Sequence, residues 1–280
     1  MMFGYTKLPS YADQYGFVIV YPEAPHDSNC FDIMSSSTQT HGAGGDSLGV
    51  ASMVSYAIST YKADASRVFA TGSSSGAMMT NVMCAVYPDL FAAGAAFSGF
   101  PFGCHTGGGS SPGSADPACA AGRVTHTGAE WLAIFRRAYS GYTGRVPRFQ
   151  VWSGTSDSVI NYANHNEQLK FWGAVNDVSF SRNVSNTPAS GWTQTVWGDG
   201  SKVVGYTQAG GGHITPFNED LVLKFFGIIG GTTTTSTTTG PTSSTSTSTT
   251  TTTTSTTNPP GGCTVAKWGQ VRIIPLILGH

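Results

Sequence analysis

Two glycines flank a serine in Gly72-Ser73-Ser74-Ser75-Gly76, a segment that joins an apolar run starting at Val68 to a second one from Ala77 to Val86. The first run is short and reads as a strand; the second is long enough to read as a helix. A strand that turns straight into a helix holds the corner residue, Ser74, in a strained backbone geometry. The residues two before and two after it must then be small enough for strand and helix to approach. Gly72 and Gly76 meet that demand. The Ser74 hydroxyl then stands at the end of a central strand, beside the backbone N–H of Ser75 at the first turn of the helix. Together they supply a nucleophile and half an oxyanion hole.

The rest of the chain alternates in a way that supports this corner. Strands are expected at 17–21, from 68, and at 91–97, 149–152, 178–184, 193–197 and 203–206, with Asp199-Gly200 as the hairpin turn between the last two. Helices are expected at 48–61, after Ser74, and at 130–139, 167–175 and about 216–229. Strands interleaved with helices argue for a mostly parallel sheet with helices on both faces, whose catalytic groups gather beyond the carboxyl ends of the strands.

Two such ends carry chemistry. After the strand ending at Trp152 comes Ser153-Gly154-Thr155-Ser156-Asp157, a glycine turn that presents a carboxylate; after the strand near Tyr206 comes Gly210-Gly211-Gly212-His213. The chain order Ser74, Asp157, His213 is that of an α/β-hydrolase. A serine hydroxyl is a poor nucleophile until a base takes its proton, and an imidazole titrates in the right range for that work. Asp157 would fix the imidazole tautomer and stabilise the imidazolium. The remaining histidines, at 26, 41, 105, 126, 165 and 280, read as surface or capping groups, and Asp46 reads as the N-cap of the helix that follows it.

Composition narrows the partners. With 14 Lys+Arg against 15 Asp+Glu, the electrostatic footprint of a nucleic-acid binder is missing and a neutral substrate is expected. No metal or cofactor is expected either. The five cysteines are too irregularly spaced for a zinc site. Cys104 and Cys119 bracket a Gly/Ser/Pro loop that a disulfide would restrain, and Cys84 reads as a small buried hydrophobe. Trp131, Trp152 and Trp172 either stack sugars or fill the core, and core is the expectation for at least two.

Residues 1–230 read as the folded domain and 231–260 as a Thr/Ser-rich linker that cannot form a core. That tract is typical of O-glycosylated extracellular stalks, and Asn183-Val184-Ser185 fits an N-glycosylation acceptor, so a secreted, monomeric protein with no membrane segment is expected. Met1 to Lys7 lacks the apolar stretch of a signal peptide.

Several segments together resemble the fungal acetyl xylan esterases and feruloyl esterases of carbohydrate esterase family one. They are Leu8-Pro9-Ser10-Tyr11-Ala12-Asp13, Ser28-Asn29-Cys30-Phe31-Asp32, Gly44-Gly45-Asp46, the stretch from Thr71 to Val82, Tyr87-Pro88-Asp89 and Gly212-His213. The polyhydroxybutyrate depolymerase-like enzymes are more distant. The resemblance implies an α/β-hydrolase fold that removes acetyl groups from xylan through an acyl-enzyme, with feruloyl ester cleavage as the alternative. It places the family's serine nucleophile, aspartate and histidine on Ser74, Asp157 and His213. It also implies further strands ahead of Leu8, so the expected sheet lacks its first strands, has no second oxyanion donor and stands open beside the strand of Ser74. Residues 261–280 are similar to the start of a cellulose-binding module, but 271–280 depart from it. They are therefore expected to be an unfolded remnant that does not bind cellulose. Two readings of another class stand beside the enzyme: an inactive fragment, and a non-enzymatic wall or carbohydrate-binding protein.

Overall fold

The computed structural model describes residues 2–24, 26, 29–105, 115–230 and 276–279, with backbone alone for 2, 3 and 276–279. In chain order the elements are α1 (Met2–Tyr5), α2 (Leu8–Tyr15), β1 (Phe17–Val20), α3 (Gly45–Tyr61), β2 (Val68–Ser73), α4 (Ser75–Val86), β3 (Ala93–Phe97), α5 (Pro117–Ala120) and α6 (Gly128–Ala138). There follow β4 (Arg148–Gly154), α7 (Ala163–Val175), β5 (Phe180–Ser185), β6 (Trp192–Trp197), β7 (Val203–Gln208), α8 (Glu219–Phe226) and β8 (Leu276–Gly279).

The strands form one sheet in the order β1-β8-β2-β3-β4-β7-β6-β5. β2, β3, β4 and β7 are mutually parallel, so their carboxyl ends lie along one edge, while β6 and β5 extend the sheet as an antiparallel hairpin. Their side chains alternate between two cores, as the pleat dictates. Val68, Ala70, Phe149, Val151 and Val203 pack with α3, α4, α6 and α7 on one face. Phe69, Phe97, Trp152, Val204 and Tyr206 pack with Leu8 of α2 and with Val222, Leu223 and Phe226 of α8 on the other. All three doubtful tryptophans, Trp131, Trp152 and Trp172, are fully buried and belong to these cores.

The expected elements are present, and several of their ends differ from those expected. α8 is shorter than the pattern suggests because the Asn218 side chain accepts from Leu221 N–H at one end and Gly227, in the left-handed region, stops the other. α3 starts earlier than expected, and Asp46 is not its N-cap. Gly44 flanks the helix without a side-chain bond, and the Asp46 carboxylate instead accepts from Asp32 N–H and faces His26 Nε2 at 3.1 Å. α2, built from the Leu8 segment, carried no helix expectation.

One difference bears on the whole sheet. The place beside β2 that was expected to stand open holds β8, antiparallel to β1 on one side and to β2 on the other. Residues 276–279 are therefore a paired strand and not part of an unfolded remnant. The rest of 261–280, and the linker at 231–260, lie outside the described residues. Among the described residues no helix is long and apolar enough to cross a membrane.

Candidate active site

Ser74 occupies the corner between β2 and α4 with φ 56 and ψ −120, a left-handed conformation that a side-chain-bearing residue adopts only under constraint. The constraint is the close approach of strand and helix. A Cβ on Gly72 would lie 2.5 Å from the carbonyl of Gly76, which leaves no room for any other residue. Behind the corner, α4 is fixed by a buried polar chain: Trp172 Nε1 donates to Asn81 Oδ1, Asn81 Nδ2 to Gln168 Oε1, and Gln168 Nε2 to the Gly99 carbonyl. The Ser75 hydroxyl accepts from Phe31 N–H at 3.0 Å and ties the loop after β1 to the same corner.

The structure brings the three expected side chains together. His213 Nε2 lies 2.9 Å from Ser74 Oγ, and His213 Nδ1 lies 2.8 Å from Asp157 Oδ2. The Asp157 side chain is 1% exposed, and its other oxygen accepts from the N–H groups of Val159 and Ile160, both at 2.8 Å. With Oδ1 anchored to its own loop, Oδ2 is left to orient the imidazole. The resulting chain can move a proton from Ser74 Oγ to His213 Nε2 while the carboxylate offsets the new positive charge.

The loops carrying Asp157 and His213 are sewn to one another. Ser156 N–H donates to the Gly211 carbonyl at 2.8 Å, Thr155 N–H to the Gln208 carbonyl at 3.0 Å, and Gly210 N–H to Thr155 Oγ1 at 2.8 Å. Beyond the histidine, Thr215 Oγ1 meets Ser98 Oγ at 2.9 Å, so the end of β3 holds the far side of the loop. Sequence reasoning missed Ser75 Oγ, Ser98, Thr155 and Thr215 as positioning groups. Ser98 and Thr155 gave a signal, since each follows directly on a parallel strand at its carboxyl end.

His165 departs from expectation: it is buried, not at the surface. Its Nδ1 faces Ser153 Oγ at 3.3 Å, its Nε2 is a buried atom without a hydrogen-bond partner, and burial pushes its pKa down to about 3. His41 stacks on Tyr139, and its Nδ1 lies 2.8 Å from the Val86 carbonyl. Cys104 and Cys119 are joined, with Cα atoms 5.9 Å apart, and Cys84 is free and buried. Asn183 is exposed on β5. Among the described residues no group of three or more His, Cys, Asp or Glu could hold a metal ion.

A mostly parallel sheet with a serine at a strand-to-helix corner, backed by a histidine and an aspartate in that chain order, defines an α/β-hydrolase. Residues 3–178 match the Esterase PHB depolymerase family, and the chain belongs to it. It is 51% identical over 269 residues to feruloyl esterase B of Talaromyces funiculosus, covering 96% of this chain and 74% of that protein. It is 53% identical over 225 residues to feruloyl esterase B of Neurospora crassa, covering 80% and 77%. Among solved structures, the acetyl xylan esterase from Aspergillus awamori superposes with a TM-score of 0.77 at 39% identity, covering 81% of this chain and 83% of that one.

Proposed function

We propose that this protein is a serine carboxylic ester hydrolase that releases acetyl groups from xylan through an acyl-enzyme intermediate. The observation that supports it most directly is the unbroken line Ser74 Oγ, His213 Nε2, His213 Nδ1, Asp157 Oδ2, with contacts of 2.9 and 2.8 Å. In the first half-reaction Ser74 Oγ attacks the ester carbonyl and its proton passes to His213 Nε2. The carbonyl oxygen gains negative charge beside Ser75 N–H. His213 then returns the proton to the departing sugar oxygen. In the second half-reaction a water loses a proton to His213 and attacks the acyl-enzyme, which frees the carboxylic acid and restores Ser74.

A second reading, release of ferulate from the same polysaccharide, is favoured by the relatives that are 51% and 53% identical, both named feruloyl esterase B. Secretion is part of the proposal; the Cys104–Cys119 disulfide, the exposed acceptor at Asn183 and the Thr/Ser tract support it.

The test is hydrolysis of 4-nitrophenyl acetate by the chain and by Ser74→Ala. Turnover by the wild type, reduced about 10⁴-fold or more in the variant, is expected. Equal rates would refute the assignment of Ser74. Acetate release from acetylated xylan should exceed ferulate release from feruloylated xylan, and the reverse order would select the second reading.

A further inference from the structure

β1 and β2 run parallel to each other but are not hydrogen-bonded neighbours, because β8 lies between them. Leu276, Ile277 and Leu278 each have a partner on both sides: Val20 and Ala70, Ile19 and Phe69, Val18 and Val68. Among the described residues, these three connect β1 to the rest of the sheet. The sequence of β8, Leu-Ile-Leu-Gly, carries no charge.

The strand reaches this place from far along the chain. Residues 231–275 separate it from the last residue of the folded body, a stretch of about 45 residues, most of it Thr and Ser. Pairing of 276–279 with β1 and β2 thus joins regions far apart in the chain, a donor strand and an acceptor gap. The gap matters to chemistry because one of its walls is β2, which ends at Ser74. With the gap empty, β2 would keep β3 as its only paired neighbour among the described residues and present an open edge.

We propose that the gap between β1 and β2 is a strand-acceptor site and that residues 276–279 of the same chain are its donor strand, which holds β2 and hence Ser74 in place. The dependence of turnover on the donor rests on the ester-hydrolase reading; the pairing itself does not.

Two measurements on the full chain test this. Val18 and Leu278 are register partners, so Val18→Cys/Leu278→Cys should cross-link within one chain under mild oxidation. Val18→Cys/Ile277→Cys, one residue out of register, should cross-link far less, because neighbouring strand residues point to opposite faces. Equal cross-linking of both pairs, or a link between two chains, would overturn the assignment. In the second measurement Ile277→Pro removes the N–H of the residue opposite Ile19 and Phe69. Its melting midpoint should fall by about 6–12 °C, and turnover of 4-nitrophenyl acetate should fall roughly tenfold or more. Wild-type melting and turnover in Ile277→Pro would refute the holding role. A wild-type chain that cleaves no ester would refute the hydrolase reading alone, since the cross-link and the melt still report on the strand.

Discussion

Gly154 offers a direct test of how closely the loops of Asp157 and His213 must approach. It ends β4, three residues before Asp157, and faces the loop of His213. A Cβ built there would lie 2.2 Å from the Gly211 carbonyl oxygen, 2.3 Å from its carbon and 2.5 Å from the Gly212 oxygen, all of them backbone atoms that no side-chain rotation can clear. To bring the shortest contact to a tolerable 3.0 Å, the loops must part by about 0.8 Å. If the imidazole moves with its loop, the 2.8 Å bond from His213 Nδ1 to Asp157 Oδ2 lengthens to about 3.6 Å, beyond useful hydrogen-bond range. Misplacement on this scale costs roughly 10²-fold in rate. Gly154→Ala should therefore lower kcat for 4-nitrophenyl acetate by about that factor, with KM little changed and the melting midpoint reduced. Gly49→Ala is the control. That glycine is exposed within α3, has nothing within 4 Å of the added methyl, and should gain about 0.5–1 kcal/mol of stability with unaltered turnover. A Gly154→Ala enzyme with wild-type kcat would show that the triad does not depend on this loop contact.

Acid stability follows from two buried groups. Burial pushes the pKa of His165 down to about 3, so between that pH and about 6.5 the unfolded chain binds a proton that the folded chain does not. Stability contributed by the neutral ring is full above about pH 6.5 and declines by up to ~1.4 kcal/mol per unit as pH falls toward 3. Asp32 acts in the same direction at lower pH. Burial works to raise its pKa, but hydrogen bonds from Ser35, Met34 and Thr38 outweigh this and hold it below the ordinary carboxylate value. Melting midpoints measured from pH 7 to 4 should fall, and His165→Gln should flatten the part of that slope above pH 4; an identical slope would exclude His165 as its source. Cys104→Ser opens a disulfide that spans 15 residues, and urea titration should show a loss of about 3 kcal/mol. An unchanged denaturation midpoint would mean that the loop around it is held by other contacts.

Much of the site was legible because its demands are local. A strand-to-helix corner needs small residues on either side of its serine, and Gly72 and Gly76 satisfy that within five residues of sequence. The groups after β4 and β7 were legible for a related reason: in parallel strands the carboxyl ends share one edge, so a carboxylate after one strand and a histidine after another converge on the serine after a third. Element types followed from apolar period, whereas ends such as that of α8 were set by caps at Asn218 and Gly227. Asp46 read as a cap because its position fits one, but its carboxylate is engaged by Asp32 N–H and His26, 14 and 20 residues away.

By itself the sequence determined the alternation of strand and helix, the strained corner at Ser74 and the chain order of Ser74, Asp157 and His213, because each depends on residues close together in the chain or on a rule of parallel sheets. Only the tertiary structure decided what lies beside β2. The pairing of 276–279 with β1 and β2 joins residues about 200 or more apart through backbone groups that every residue possesses. Such pairing leaves no signature in side-chain type beyond four uncharged residues. The burial of His165 against Gly205 has the same origin, since a missing Cβ in one strand makes room for a ring from a distant helix.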